Sequence, residues 1–171
     1  MSYKNGNMKT IELHENGLDI QFRIRENGVV ELADFSSQGV KKAAMEPKED
    51  IYYPAVEIHR SGTGSLNMHA YKNNINQSSV DFVYENHELK EQEGGKELEI
   101  VMVSPEKLKA VYHMRLFDGI PAVQTWTEIT NEGSEDQGLT HVSSFIYQGI
   151  SRGGEKPYYK KTDIYVPFNS W

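Results

Sequence analysis

Apolar and polar residues alternate along much of the chain, with the two-residue period of a strand that has one buried face. The clearest run places an apolar side chain at every second position: Leu18, Ile20, Phe22 and Ile24. Asn16-Gly17 precedes this run and Asn27-Gly28 follows it. Asn-Gly is the preferred pair of a type I′ hairpin turn, because both positions need a positive φ. The pattern predicts a three-stranded meander. Its strands are expected at 10–15, 18–26 and 29–35.

The rest of the chain continues with short strand-like segments. Further strands are predicted at 55–60, 80–86, 97–103, 108–117, 122–131 and 139–150. The apolar run 100–103 favours a strand buried on both faces. Residues 88–96 are expected to form a charged loop that contains a Gly-Gly hairpin signal. No long segment combines helical periodicity with caps. Regular strand spacing with polar turns therefore predicts an all-β, antiparallel sandwich.

The composition and net charge of the chain limit the kinds of partner that it is expected to bind. The 171 residues carry a formal net charge of −7, which disfavours contact with the phosphate backbone of nucleic acids. Cysteine is absent, so disulfide bonds and thiolate chemistry are excluded. The first residues lack the apolar stretch of a signal peptide, and no apolar run approaches the roughly 20 residues that span a bilayer. We therefore expect a cytoplasmic protein that binds neither nucleic acid nor membrane.

Signals for catalysis or cofactor binding are weak. The six histidines form no close pair with the spacing of metal ligands, so no metal site is expected. The glycine-rich stretch 62–65 lacks the lysine and the helix of a phosphate-binding loop. The 25 acidic residues do not single out a pair of carboxylates for glycoside hydrolysis. No cofactor is expected.

One segment is more specific. Residues 112–133 read YHMRLFDGIPAVQTWTEITNEG. A strand is followed by an Asp-Gly-x-Pro turn at 118–121 and by a second strand that ends in Trp-x-x-x-x-Asn-x-Gly. This arrangement resembles the N-terminal domains of family 36 glycoside hydrolases, the α-galactosidase family. The segments 142–145 and 168–171 fit the same pattern.

The resemblance covers residues 10–171 and implies an antiparallel β-supersandwich of the galactose mutarotase-like type. Residues 1–9 would be a flexible N-terminus, and residues 160–171 would lead towards a catalytic (β/α)8 barrel that this chain is too short to include. In the family, the catalytic carboxylates lie in that barrel. The chain is therefore expected to be a non-catalytic domain of a retaining enzyme, truncated before the barrel and inactive by itself.

The same resemblance implies partners and a position near a sugar. The domain would pack on the barrel of its parent chain, support a homo-oligomer and help to shape the pocket for an α-galactoside. Its substrate-proximal residues would be Asp50, Asn67, His69 and Trp171. The arginine that many family members carry in the corresponding loop is absent, since residues 64–70 read GSLNMHA. The sugar and the linkage therefore stay open.

Two other functions remain alternatives. Exposed Tyr and Trp side chains could stack on sugar rings, as in a free-standing carbohydrate-binding β-sandwich module. An aldose epimerase of the mutarotase type would need a His and a Glu that converge as acid and base. His113 and Glu128 lie on neighbouring predicted strands, so only the register of those strands could bring them together.

Overall fold

The computed structural model describes residues 9–38, 53–63, 68–69, 72–73 and 77–147, and the structural statements below concern these residues. They form one sheet of three strands, one of four strands and two of two strands. No helix within these ranges is long and apolar enough to cross a membrane.

The first sheet is the predicted three-stranded meander. Its strands are β1 Lys9–Glu15, β2 Leu18–Ile24 and β3 Val30–Ser37. Neighbouring strands pair antiparallel, with β2 in the centre. The four apolar residues of β2 are buried and the polar residues between them are partly exposed, which confirms the predicted alternation.

The two Asn-Gly turns differ from each other. Asn16 and Gly17 have φ values of 51° and 83°, so both are left-handed and the predicted type I′ turn is confirmed. At the second turn Gly28 has a φ of 84°, but Asn27 is not left-handed, so the type I′ prediction was wrong there. The Gly28 amide instead donates to the Arg25 carbonyl at 2.9 Å, which closes a loop with one left-handed residue.

Short elements follow the meander. They are β4 Ile58–Arg60, β5 Met68–His69, β6 Lys72–Asn73 and the one-turn helix α1 Gln77–Val80. Two buried serines of α1 hold β4 in place, because the Ser78 and Ser79 hydroxyls donate to the Ile58 carbonyl at 2.6 Å and 3.0 Å. The strand predicted at 55–60 is shorter than expected, since only Ile58–Arg60 is a strand. The helix α1 occupies the position where the next strand was predicted to begin.

The second sheet contains the four longest strands. They are β7 Val83–Gln92, β8 Gly95–Val103, β9 Leu108–Phe117 and β10 Ile120–Asn131. Their order in the sheet is β10-β9-β8-β7, and all pairs are antiparallel. A bulge near Glu85 shifts the register of β7 against β8. The predicted strand at 108–117 is confirmed at both ends.

The predicted charged loop at 88–96 was wrong. Residues up to Gln92 belong to β7, and β8 begins at Gly95, so only a two-residue turn separates the strands. The charged side chains are compatible with strands because they find partners across them. Lys90, for example, lies 2.6 Å from a Glu99 carboxylate oxygen. Opposite charges on adjacent strands stabilise a sheet as hydrophobic pairs do.

The last described strand, β11 Leu139–Val142, pairs antiparallel with β4. It is shorter than the predicted strand at 139–150, because residues 143–147 are not in a strand. The end of that prediction, 148–150, lies outside the described residues.

The two larger sheets share one hydrophobic core. The rings of Phe22 on β2 and Tyr112 on β9 meet edge to face, with centroids 5.7 Å apart. Leu98, Ile100 and Met102 of β8 point into the same core. Val101 and Val103 are only partly buried. The expectation that 100–103 is buried on both faces was therefore wrong, since one face of the second sheet points away from the core.

A buried arginine ties the shorter elements to the second sheet. Arg60 on β4 is 7% exposed, and its guanidinium lies 3.2 Å from Asp81 and 2.7 Å from Glu106. Asp81 precedes β7, and Glu106 lies in the turn between β8 and β9. Arg60 thus fixes three separate parts of the chain by charge-assisted hydrogen bonds.

Candidate functional site

The face of the second sheet that points away from the core is lined with polar side chains. Side chains alternate between the two faces along a strand. Odd-numbered residues of β8 pair with odd-numbered residues of β9, so they share this outer face. Three of them form a contiguous group with two residues of the neighbouring strand β10, called here the outer cluster. It consists of Glu97, Glu99, His113, Trp126 and Glu128.

His113 is the centre of the outer cluster and is 6% exposed. Its Nδ1 lies 2.8 Å from Glu97 Oε1 and 3.9 Å from Glu99 Oε1. Its Nε2 lies 3.7 Å from Glu128 Oε1, too far for a hydrogen bond. A carboxylate can only accept, so Nδ1 carries the hydrogen that Glu97 receives. Nε2 is buried and has no hydrogen-bond partner within the described ranges.

Trp126 covers one face of this imidazole. It is directly opposite His113 in the pairing of β9 with β10, and the two rings are parallel within 5° with centroids 4.6 Å apart. The indole Nε1–H points to Glu128 at 3.4 Å. Trp126 is only partly buried. Since the imidazole covers one face of the indole, its exposed area belongs to the other face and the edge.

The two carboxylates on β8 differ in environment. Glu97 is 7% exposed and accepts hydrogen bonds from His113 and from Gln92 Nε2 at 2.7 Å. Glu99 is more exposed and is paired with Lys90. The hydrogen bond to Glu99 is the main reason that the pKa of Lys90 is raised above its ordinary value. Lys90 therefore remains an ammonium ion next to Glu99.

The outer cluster offers a set of metal-ligating atoms. One carboxylate oxygen each of Glu97 and Glu99 and a ring nitrogen of His113 lie within 4.8 Å of one another. Imidazole nitrogen with carboxylate oxygen is a donor set suited to zinc and neighbouring transition metals. Sequence spacing gave no sign of this group, because its histidine is one strand away from its carboxylates and the group contains a single histidine. The signal that could have found it is the Glu-x-Glu pattern at 97–99, which places two acids on one face of a strand.

The predicted substrate-proximal residues are not tested by this structure. Asp50, Asn67 and Trp171 lie outside the described residues. His69 belongs to β5, where its backbone pairs with Lys72.

His113 and Glu128, the pair that an epimerase would require, do come together. Glu128 is opposite Val111, two residues before His113, so the contact is diagonal across β9 and β10. However, the Nε2 atom of His113 is buried, which leaves a sugar no direct access to it. The contacts around His113 therefore fix the orientation of its ring and do not expose it to a substrate.

Comparison with known proteins gives a likeness in fold. No protein-family model matches the chain, and no curated protein matches it. Solved structures do match, among them crystal structures of the GH36 alpha-galactosidase AgaA from Geobacillus stearothermophilus. These include a variant in complex with raffinose, the enzyme alone and a variant in complex with 1-deoxygalactonojirimycin.

The match has a TM-score of 0.52 in all three cases. Sequence identity is 13% for the raffinose complex and 12% for the other two. The alignment covers 77% of this chain and 23% of the AgaA chain, so this chain spans less than a quarter of the protein it matches. The likeness confirms the predicted all-β antiparallel sandwich and shows that an α-galactosidase contains a domain of this fold.

Proposed function

We propose that the chain is a non-catalytic β-sandwich domain of an α-galactosidase-like, retaining glycoside hydrolase. The observation that supports this proposal is the fold match, which covers 77% of this chain but 23% of AgaA. A region of this size corresponds to one domain of a larger enzyme. The segment 112–133, which resembles the family's pattern, contains the end of β9 and the strand β10 paired with it.

The proposed role is structural support of a sugar pocket formed elsewhere. The domain would pack on a catalytic (β/α)8 barrel of the same parent chain, contribute to a homo-oligomer and bring loop residues near an α-galactoside. Asp50, Asn67, His69 and Trp171 are the residues proposed to approach the sugar.

The state of the acidic residues supports a non-catalytic role. Glycoside hydrolysis needs one carboxyl group that can protonate the leaving group and a second that attacks or activates water. On the outer face, Glu97 accepts hydrogen bonds from Gln92 and His113, and Glu99 is paired with the Lys90 ammonium. Carboxylates held in this way are poor candidates for either role.

Hydrolysis of a chromogenic α-galactoside tests the proposal. Residues 1–171 alone are expected to give no turnover above the rate in buffer, and the longer protein that the proposal requires is expected to hydrolyse the α-galactoside but not the β-anomer. Turnover by residues 1–171 would overturn the non-catalytic assignment. A longer protein that lacks a barrel, or that cleaves only other glycosides, would overturn the assignment to this type of enzyme.

A second candidate, a carbohydrate-binding module, is favoured by Trp126 alone. Its partly exposed indole is held rigid by His113, and a rigid aromatic surface can stack on the C–H face of a pyranose. Titration of residues 1–171 with raffinose would show binding with a Kd of about 1 mM or below if this candidate is right. The signal should disappear in Trp126→Ala. Absence of binding to the unsubstituted chain at higher raffinose concentrations would eliminate this candidate.

A further inference from the structure

We propose that Glu97, Glu99 and His113 form a binding site for a divalent first-row transition-metal ion, with Zn²⁺ as the representative ion. The ligands would be Nδ1 of His113 and one carboxylate oxygen from each glutamate. This inference is independent of the proposed function, because it depends only on the contacts of the outer cluster.

The three ligand atoms are already close to one another. Nδ1 lies 2.8 Å from Glu97 Oε1 and 3.9 Å from Glu99 Oε1, and the three residues offer one ligand atom each within 4.8 Å of one another. Ligands about 2.0–2.2 Å from a zinc ion are separated by roughly 3–3.5 Å. Small rotations of the glutamate side chains would therefore place the three atoms around one ion.

The buried Nε2 atom of His113 is the second observation that points to a metal. Without a metal, the hydrogen of the neutral ring is on Nδ1, and Nε2 is left buried with no hydrogen-bond partner among the residues that the structure describes. A metal on Nδ1 would move the hydrogen to Nε2, which lies 3.7 Å from Glu128 Oε1. Glu128 is 65% exposed and can approach. Histidine ligands characteristically donate their other N–H to a carboxylate in this way.

The ligands are positioned by rigid elements. Glu97 and Glu99 are on β8 and His113 is on the adjacent strand β9, so the ladder between these two central strands fixes their spacing. Trp126 holds the plane of the imidazole from one side. A site on paired strands loses little conformational entropy when it binds an ion.

The ammonium group of Lys90 already contacts one of the proposed ligands. Its ammonium lies 2.6 Å from Glu99 Oε1. A metal ion would have to displace that contact, so Lys90 is expected to weaken metal binding. The lysine thus provides a variant in which the proposed site should become stronger.

The donor set selects the class of ion. One imidazole nitrogen and two carboxylate oxygens suit Zn²⁺ and its neighbours, whereas Ca²⁺ and Mg²⁺ prefer sites built of oxygen alone. Three protein ligands leave the fourth position of a tetrahedral ion to water.

Calorimetric titration of residues 1–171 with Zn²⁺ tests the proposal. One equivalent is expected to bind, with Ca²⁺ and Mg²⁺ giving no comparable heat. Trp126 supplies a second readout, because paramagnetic Ni²⁺ at the site would quench a nearby indole. The second tryptophan is removed by Trp171→Phe, so that the remaining fluorescence comes from Trp126 alone.

Matched variants decide whether these three residues are the ligands. Glu99→Gln is expected to weaken Zn²⁺ binding by about tenfold or more, whereas Glu91→Gln, an exposed acid on β7, should leave it unchanged. Lys90→Met is expected to tighten binding, and Lys96→Met, whose ammonium instead contacts Glu15, should not. Because Glu99 and Lys90 are partly exposed, these variants should remain folded.

Three results would overturn the proposal. One is a folded protein that binds no Zn²⁺ at millimolar concentration. Another is Zn²⁺ binding with equal affinity in the unsubstituted chain and in Glu99→Gln. The third is Ni²⁺ binding that leaves the fluorescence of Trp126 unchanged.

Discussion

The indole of Trp126 lies flat on the imidazole of His113, with ring centroids 4.6 Å apart and planes inclined by 5°. The two residues face each other across β9 and β10, so the contact joins the outermost strand of the second sheet to its interior. The stack and the hydrogen bond to Glu97 together fix the plane and the tautomer of the imidazole.

Replacement of Trp126 should therefore loosen the edge of the sheet. Trp126→Ala is expected to lower the free energy of unfolding by about 1–2 kcal/mol, because it removes a stacked aromatic pair and part of its buried area. Urea denaturation monitored by circular dichroism measures the change. Trp126→Phe keeps a ring at this position and should lose less. Equal stability of Trp126→Ala and the unsubstituted chain would show that the stack contributes nothing.

The buried phenol of Tyr112 should make the protein sensitive to high pH. Burial raises the pKa of Tyr112 well above its ordinary value of 10.0, and the nearby Thr125 side chain only partly offsets that effect. The folded state therefore keeps this proton at a pH where the unfolded state has lost it, so stability falls as the pH rises above about 10. Denaturation at several pH values between about 8 and 11 measures the slope.

Tyr112→Phe is the control for that slope. The variant should show a weaker loss of stability at high pH, since the group that titrates only in the unfolded state is gone. At neutral pH its stability should change by less than about 1 kcal/mol, because the hydroxyl makes no hydrogen bond of good geometry in the described ranges. An unchanged alkaline slope in Tyr112→Phe would assign the effect to another group.

Removal of Arg60 should destabilise the protein and change its response to acid. Arg60→Met leaves Asp81 and Glu106 without their common cation, and charge-assisted hydrogen bonds of this kind contribute roughly 1.5–3 kcal/mol. Burial alone would raise the pKa of Glu106, but its hydrogen bonds, chiefly from Arg60, outweigh burial and lower the pKa below 4.5. The stabilisation by Glu106 is thus complete above its unfolded pKa and is lost as the pH falls through its folded value.

The acid response gives the test a direction. Between about pH 5 and 3, the unsubstituted chain should lose stability more steeply than Arg60→Met. Lys109→Met is the matched control, because Lys109 contacts Glu132 at 3.5 Å and these side chains are 35% and 51% exposed, far more than Arg60 at 7%. Lys109→Met should lower the free energy of unfolding by less than about 1 kcal/mol. Similar losses in the two variants would contradict the central role of Arg60.

Alanine substitutions at the turn between β7 and β8 should have different effects on stability at two neighbouring glycines. A Cβ at Gly95 would lie 1.9 Å from the Leu116 carbonyl oxygen on β9, whereas a Cβ at Gly94 would meet no atom of the described residues within 4 Å. Gly95→Ala must therefore move the backbone of a central strand and is expected to cost about 3 kcal/mol or more. Gly94→Ala retains only the strain of a φ of 76°, about 1–2 kcal/mol. Thermal denaturation of both variants should show this order.

The fold was predictable where one face of a strand is buried and the other is wet. The alternation in β2 and β9 identified both strands, because burial imposes a period of two on the sequence. The error at 88–96 has the opposite cause. The strand β7 is an edge strand with both faces largely exposed, so its residues carry no apolar signal and the charged sequence looked like a loop.

The outer cluster could not be predicted because it depends on register. The sequence places Glu97 and Glu99 on one face of β8, but not opposite any particular residue of β9. A shift of one residue between these strands would have turned His113 towards the core and brought Met114 to the outer face. Local patterns determine which residues share a face, whereas the turns and the packing of both sheets determine which residues meet.

The bulge near Glu85 shows that one unpaired residue can determine which charged side chains lie on a surface of the sheet. Before the bulge, odd-numbered residues of β7 share a face with the odd-numbered residues of β8; after it, even-numbered residues do. Lys90 therefore stands beside Glu99, and Leu89 takes the opposite side. If Glu85 were instead paired with Val101, every later residue of β7 would shift by one position, which would place Leu89 beside the carboxylates and turn Lys90 to the opposite face. The presence of one unpaired residue in this edge strand thus determines which charged side chains lie on the outer face of the sheet.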